Sequence, residues 1–170
     1  MASFDGNSAS AQMDQYSRQI GAYGIETMKN LAALSVLIVG ASGTGFEAAK
    51  DLILAGPKAV AIYDKTPVAI ADLGTNAFLA KEDVGKPRAA FCVDKLAVLN
   101  PYVHVSECAE PPTAESLKAF GAVLVTDSFL PLETLVAWDS ACRENGSVFL
   151  LAFCNGVVCS IFSDFGKEHT

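Results

Sequence analysis

The sequence has little positive charge, few histidines and no long apolar run. Its 170 residues carry 12 Lys and Arg against 19 Asp and Glu, which gives a formal net charge of −7. No run of Lys and Arg stands out, so a nucleic-acid partner or an anionic membrane surface is not predicted. No apolar stretch approaches the roughly 20 residues that a membrane-spanning helix needs.

Cysteine is present, but not in the spacing of a zinc site. None of the five cysteines forms a C-x-x-C pair, and neither of the two histidines lies near paired cysteines. We therefore expect reduced thiols and a cytosolic or nuclear protein. The cysteines are Cys92, Cys108, Cys142, Cys154 and Cys159.

The composition is that of one folded domain, because 51% of the residues are hydrophobic and 18% are charged. Residues 1–13 are rich in Ser and Ala and have neither the basic start nor the apolar stretch of a secretory signal. We predict that they form a mobile leader and that residues 14–170 form the domain.

Short β-branched and apolar runs alternate with segments of helical spacing. The predicted strands are Ser35–Val39, Ala59–Tyr63, Val103–Val105, Ala122–Val125, Val148–Ala152 and Val157–Phe162. Helices are predicted at Thr44–Leu54, Pro87–Leu99 and around Leu132–Cys142, and residues 15–34 are predicted to form a helix or a helix pair broken near Gly21 or Gly24.

This alternation predicts an α/β fold, a Rossmann-like, doubly wound and mostly parallel sheet. The last strand follows Asn155-Gly156, a turn signal, and should run antiparallel. Ligands of such sheets bind beyond the carboxyl ends of the strands. Gly40–Gly45, Asp64 and Asp127 each follow a strand directly, so we expect them to lie together there.

The glycine-rich turn has two interpretations. In the first, glycines between a strand and a helix let backbone N–H groups face a phosphate. Asp64 lies 19 residues beyond Gly45, where an acidic residue can accept a hydrogen bond from a ribose hydroxyl. The spacing is GxxGxG rather than GxGxxG, however, and Ser42 stands where a glycine normally lets the backbone approach the phosphates. The other interpretation is that Gly40, Gly43 and Gly45 only pack the strand against the helix.

Two enzyme classes are excluded by missing residues. A short-chain dehydrogenase needs a Tyr-x-x-x-Lys pair, and none of the four tyrosines has one. Asp164-Phe165-Gly166 is also found in protein kinases, but the HRD-type catalytic loop is absent. An adenylating enzyme remains.

Five segments carry a resemblance to the ubiquitin-activating enzyme family, within the ThiF/MoeB-like superfamily. They are Tyr16-Ser17-Arg18-Gln19, Val39–Gly45, Ala71-Asp72-Leu73, Val84–Ala89 and Phe162–Gly166. The resemblance implies two related halves, of which one binds ATP and Mg and adenylates ubiquitin while the other is an inactive copy. This chain resembles the inactive N-terminal copy, ending before the catalytic-cysteine domain.

The resemblance also identifies departures from the active half. Asp72 stands where active halves have an ATP-binding Asn, Thr75 where they have an Arg, and Arg88 where they have a Lys. One lost hydrogen bond to a charged group is worth about 1.5–3 kcal/mol, or roughly tenfold to over a hundredfold in affinity. We therefore expect a degenerate nucleotide site and no tightly bound ATP. Asp127 matches the magnesium-binding Asp and is expected to mark a vestigial metal position.

Arg18 is the residue to which the resemblance gives a catalytic role. In the family, the Arg of this motif reaches across to the ATP of the active half, where a guanidinium can neutralise phosphate charge. The alternative is an ordinary surface arginine on a helix. The expected partners are the active half and ubiquitin, and self-association of the isolated chain is a further expectation. Two other functions stay open: an active ThiF/MoeB-type adenylating homodimer and an NAD-dependent oxidoreductase.

Overall fold

The computed structural model describes residues 13–127 and 129–167. The chain divides between Ala33 and Leu34 into a helical unit and an α/β unit, and each is described by itself. The predicted leader lies outside the described residues except for Met13, which is helical. The domain limits at residues 14 and 170 stay a prediction.

In the helical unit, α1 spans Ser17–Tyr23 and α2 spans Ile25–Ala33. Gly24 separates them with a φ of 84°, in the left-handed region that favours glycine. Its N–H is donated to the carbonyl of Ile20, which closes the last turn of α1. The prediction of a helix pair is confirmed, and the break falls at Gly24 rather than at Gly21.

The α/β unit has six strands and four α-helices among the described residues. The strands are β1 Ser35–Val39, β2 Ala59–Tyr63, β3 His104–Glu107, β4 Ala122–Val125, β5 Val148–Asn155 and β6 Val158–Asp164. The helices are α3 Gly43–Ala55, α4 Arg88–Ala97, α5 Ala114–Leu117 and α6 Leu132–Asn145. Two short 3-10 helices, Ile70–Gly74 and Lys81–Asp83, lie between β2 and α4.

The strands form one sheet in the order β3-β2-β1-β4-β5-β6. All neighbouring strands are parallel except β5 and β6, which are antiparallel. The predicted doubly wound, mostly parallel sheet with an antiparallel last strand is therefore confirmed. The chain order changes direction between β1 and β4, and this is where ligands bind in open α/β sheets.

Apolar side chains on both faces of the sheet bury the central strands, because successive residues of a strand point to opposite faces. Val36 and Ile38 of β1 contribute to a cluster with the apolar faces of α3 and α4. Leu37 and Val39 contribute to a second cluster that includes Trp138 of α6. The long continuous apolar runs predicted as strands are thus explained by burial on both faces.

The structure differs from the predicted elements mainly in short segments. The sequence pattern missed α5 and both 3-10 helices, since one turn of helix has no period to detect. β3 begins one residue later than predicted, and β5 continues to Asn155. Within the described residues, no helix combines the length and the apolar character needed to cross a membrane.

Candidate functional site at the glycine-rich turn

The glycine-rich turn joins β1 to α3 at the point where the strand order changes direction. Gly40 has a φ of 98°, which a side chain rarely adopts. A Cβ on Gly45 would lie 1.9 Å from the carbonyl oxygen of Gly40 and 2.5 Å from the Oγ1 of Thr126. Two of the three glycines are therefore required for the turn to close and for α3 to approach β1.

Thr126 ties the end of β4 to this turn. Its buried hydroxyl donates to the carbonyl oxygen of Gly40 at 2.8 Å, and its own N–H is donated to the carbonyl of Val39. A Cβ on Gly40 would lie 2.8 Å from the same hydroxyl. The turn is thus packed between two strands, and this contact was not predicted from the sequence. The only sequence signal is a hydroxyl residue directly after a buried strand.

Asp64 lies at the carboxyl end of β2 and is 7% exposed. Its Oδ2 accepts the N–H of Ala41 in the turn at 2.7 Å, and its Oδ1 accepts the N–H of Thr66 at 2.8 Å. The prediction that Asp64 lies beside the turn is confirmed. Both of its carboxylate oxygens, however, accept hydrogen bonds from within the chain.

Arg88, the first residue of α4, bridges two carboxylates. Its Nε lies 2.7 Å from the Oδ2 of Asp64, and its Nη1 lies 3.0 Å from the Oδ1 of Asp72. Burial lowers the pKa of the guanidinium, but the bonds to Asp64 and the charges of both aspartates outweigh it and raise that pKa. The Arg88 side chain is 13% exposed. The three residues form a mostly buried cluster with one net negative charge.

Asp72 has a structural partner as well. Its Oδ2 accepts the N–H of Ala69 at 2.8 Å, which fixes the first turn of the 3-10 helix at Ile70–Gly74. Arg88 therefore connects the end of β2, this 3-10 helix and the start of α4.

Thr75 lies over the turn. A Cβ on Gly43 would lie 2.7 Å from the Cβ of Thr75 and 3.0 Å from its Oγ1. The next residue, Asn76, is buried and accepts the N–H of Phe78 at 3.0 Å, while its amide group donates to the Sγ of Cys92. The segment after β2 is thereby held against the mouth of the turn. The role of Asn76 was not predictable from the sequence.

Asp127 follows β4, as predicted, and its Oδ1 accepts the N–H of Phe129. The pKa of the nearby Tyr63 hydroxyl is raised, mainly by burial. The Cys108 thiol and the carboxylates of Asp64, Glu110 and Asp127 raise it further. Across the described parts of the chain, no group of three or more His, Cys, Asp or Glu residues is arranged to hold a metal ion.

The predicted site residues therefore fall into two sets. Gly40, Gly43, Gly45, Asp64 and Arg88 come together around the turn, and the backbone of Asp127 lies beside Gly40. Arg18 lies in the helical unit, where its side chain is exposed on α1. Its role in trans stays a prediction.

Comparison with known proteins identifies the family. The sequence model of the ThiF family matches residues 16–162. Crystal structures of E. coli MccB have the same fold: the one with succinimide superposes with a TM-score of 0.77 at 18% identity, covering 91% of this chain and 49% of that chain.

Curated relatives are more similar in sequence. The chain is 42% identical over 159 residues to ubiquitin-activating enzyme E1 1 of Triticum aestivum and 42% identical over 153 residues to that of Schizosaccharomyces pombe. It is 38% identical over 164 residues to ubiquitin-like modifier-activating enzyme 1 of Homo sapiens. These matches cover 90–95% of this chain but only 15% of each relative. The chain belongs to the ThiF family.

Proposed function

We propose that this member of the ThiF family is the inactive adenylation half of a ubiquitin-activating enzyme. In this role it supports the ATP-dependent adenylation of ubiquitin by an active half and does not itself hold the nucleotide. The similarity to ubiquitin-activating enzymes over most of the chain supports the pathway. The chain spans only 15% of the length of those relatives, so the existence of an active half is itself part of the proposal.

The contacts of Arg88 are the observation that carries the proposal. A cation that binds a triphosphate must be free to turn toward it, but this guanidinium is already paired with Asp64 and Asp72. Releasing it would leave two buried carboxylates without a counter-charge, which is strongly unfavourable. The cluster also presents net negative charge to a polyanionic ligand.

The contacts of the turn support the same proposal. The Asp64 carboxylate accepts hydrogen bonds from Ala41, Thr66 and Arg88, so most of its acceptor capacity is already used within the chain. Thr75 packs over Gly43, at the amino end of α3 where a phosphate would approach. We infer that Gly40, Gly43 and Gly45 serve packing, and that Asp127 is a remnant of a magnesium position.

The first test uses the isolated chain. We expect no ATP–pyrophosphate exchange with ubiquitin above a no-enzyme control, and no shift of the melting temperature with ATP and Mg. Exchange above the control would support the active homodimer instead and overturn the proposal. A melting shift with NAD but not with ATP would support the oxidoreductase.

The second test concerns Arg18, which we propose acts in trans on the ATP of the active half. In a chain that joins this sequence to an active half, Arg18→Ala should slow single-turnover adenylate formation by roughly tenfold or more, because a charge-assisted hydrogen bond is worth about 1.5–3 kcal/mol. Lys29→Ala removes another exposed cation, on α2, and is the matched control that should leave the rate unchanged. An Arg18 variant with the rate of the Lys29 variant would refute the role.

A further inference from the structure

The hairpin formed by β5 and β6 carries two thiols side by side. Cys154 and Cys159 are directly paired residues in the antiparallel register, and their Sγ atoms lie 3.1 Å apart. Both side chains are exposed. Because the two sulfurs are already in contact, a disulfide bond of about 2 Å needs only a small movement of them.

The surroundings of the two thiols make them unequal. Cys154 also hydrogen-bonds to Thr44, the second residue of the 13-residue helix α3, whose amino end carries partial positive charge. The hydrogen bond from Cys159, followed by that from Thr44, lowers the pKa of Cys154 below its ordinary value. The bond to Cys154 and its charge raise the pKa of Cys159. Cys154 is therefore the better thiolate of the pair.

The other thiols of the described residues lie in different environments. Cys92 and Cys142 are buried, and desolvation raises the pKa of each to about 11. Cys108 is half-buried and its Sγ lies 3.4 Å from the carbonyl oxygen of Glu110. Only the hairpin pair combines exposure with a second thiol in contact.

We propose that Cys154 and Cys159 form a dithiol site whose substrate is a low-molecular-weight disulfide. The Cys154 thiolate attacks one sulfur of the small disulfide, forming a mixed disulfide and releasing one small thiolate. The Cys159 thiol then loses its proton to solvent, and the resulting thiolate attacks the Cys154 sulfur. The Cys154–Cys159 bond forms and the second small thiolate leaves. The two protein thiols are oxidised by two electrons, the small disulfide is reduced to two thiols, and the reverse exchange restores the pair.

The bond would join the two strands of the hairpin next to the amino end of α3. The dithiol site adjoins the glycine-rich turn through Thr44, but neither cysteine takes part in the Arg88 cluster. It differs from the family resemblance as well, which assigns the ubiquitin-accepting cysteine to a separate domain.

The proposal can be tested with oxidised glutathione. The whole chain is incubated with it, quenched with acid and alkylated, and its peptides are then mapped. We expect the loss of two of the five alkylatable thiols and a peptide linked through Cys154 and Cys159. Reduced glutathione in excess should restore both thiols. In Cys159→Ser the reaction should stop at a glutathione mixed disulfide on Cys154. In Cys154→Ser, glutathione should react with Cys159 more slowly than it reacts with Cys154 in Cys159→Ser.

Cys108→Ser is the matched control and should leave the linked peptide unchanged. Phenylarsine oxide, which binds two neighbouring thiols at once, should bind the native chain one to one and should not bind either hairpin variant. Glutathione on both Cys154 and Cys159, a disulfide between two chains, or full alkylation of both cysteines after incubation would each overturn the proposal. Far-UV circular dichroism of the variants should match that of the unmodified chain, since both sites are exposed.

Discussion

At the scale of single residues, the glycines of the turn can be tested for packing. Gly45→Ala would bring a methyl group to 1.9 Å from the Gly40 carbonyl oxygen, so the backbone of α3 must shift away from β1. Overpacking of this kind typically costs about 1–3 kcal/mol. We expect the free energy of unfolding, measured with urea, to fall by that amount or more.

Gly74→Ala is the matched control for this substitution. Gly74 has no atom within 4 Å of the position of an added Cβ, and its φ is not positive. The same chemical change there should alter stability by less than about 0.5 kcal/mol. Equal effects at Gly45 and Gly74 would contradict the packing role of the turn.

Arg88 allows a second test at this scale. Arg88→Met removes the cation that pairs with two mostly buried carboxylates, and breaking a buried pair costs about 3–5 kcal/mol. Urea denaturation should show a loss in this range. Lys118→Met breaks the exposed pair with Glu115 and should leave the free energy of unfolding nearly unchanged. A loss for Arg88→Met as small as that for Lys118→Met would show that the cluster does not stabilise the fold.

The residues of the turn were predictable from the sequence, but their contacts were not. A glycine pattern between a buried strand and a helix is local information, and it located Gly40–Gly45 and Asp64 correctly. The pairing of Arg88 with Asp64 joins residues 24 positions apart and depends on the path of the segment between β2 and α4. That segment consists of loops and 3-10 turns, which have no periodicity to read.

At the scale of secondary structure, the long elements followed from their patterns and the shortest helix did not. α5 has only four residues, yet it begins with a complete capping box. The Thr113 hydroxyl accepts the N–H of Ser116, and the Ser116 hydroxyl accepts the N–H of Thr113. The T-x-x-S signature was present in the sequence, but the usual signature has Glu or Gln at the last position and precedes a longer apolar pattern.

Thr113→Ala should therefore loosen α5. Losing a capping hydroxyl costs about 1 kcal/mol, and the following turn carries Leu117, which is buried in the core. Because about 1 kcal/mol corresponds to a factor of about five in an equilibrium constant, hydrogen exchange of the Ser116 and Leu117 amides should become about fivefold faster. Thr113→Ser keeps the hydroxyl and should retain most of the protection. Equal exchange in both variants and in the unmodified chain would mean that the cap contributes nothing.

At the scale of the whole molecule, the parallel order of the central strands was predictable because only helical crossovers connect them. The sheet nevertheless ends on an edge that the sequence pattern did not reveal as exposed. β6 pairs only with β5 among the described strands, and every residue from Val158 to Ser163 is exposed. An apolar edge strand with open backbone groups favours pairing with another chain. The apolar members of this edge are Val158, Ile161 and Phe162.

This edge gives the expected self-association of the isolated chain a specific location. Ile161→Lys places a charge on the edge strand and should lower the self-associated fraction in sedimentation velocity at high protein concentration, because edge lysines oppose strand pairing. Val98→Lys is the matched control, since Val98 is 79% exposed and Ile161 78% exposed, but Val98 lies outside the sheet. If general charge repulsion were the cause, both variants would lower association equally. Association reduced only by Ile161→Lys would locate the contact at β6.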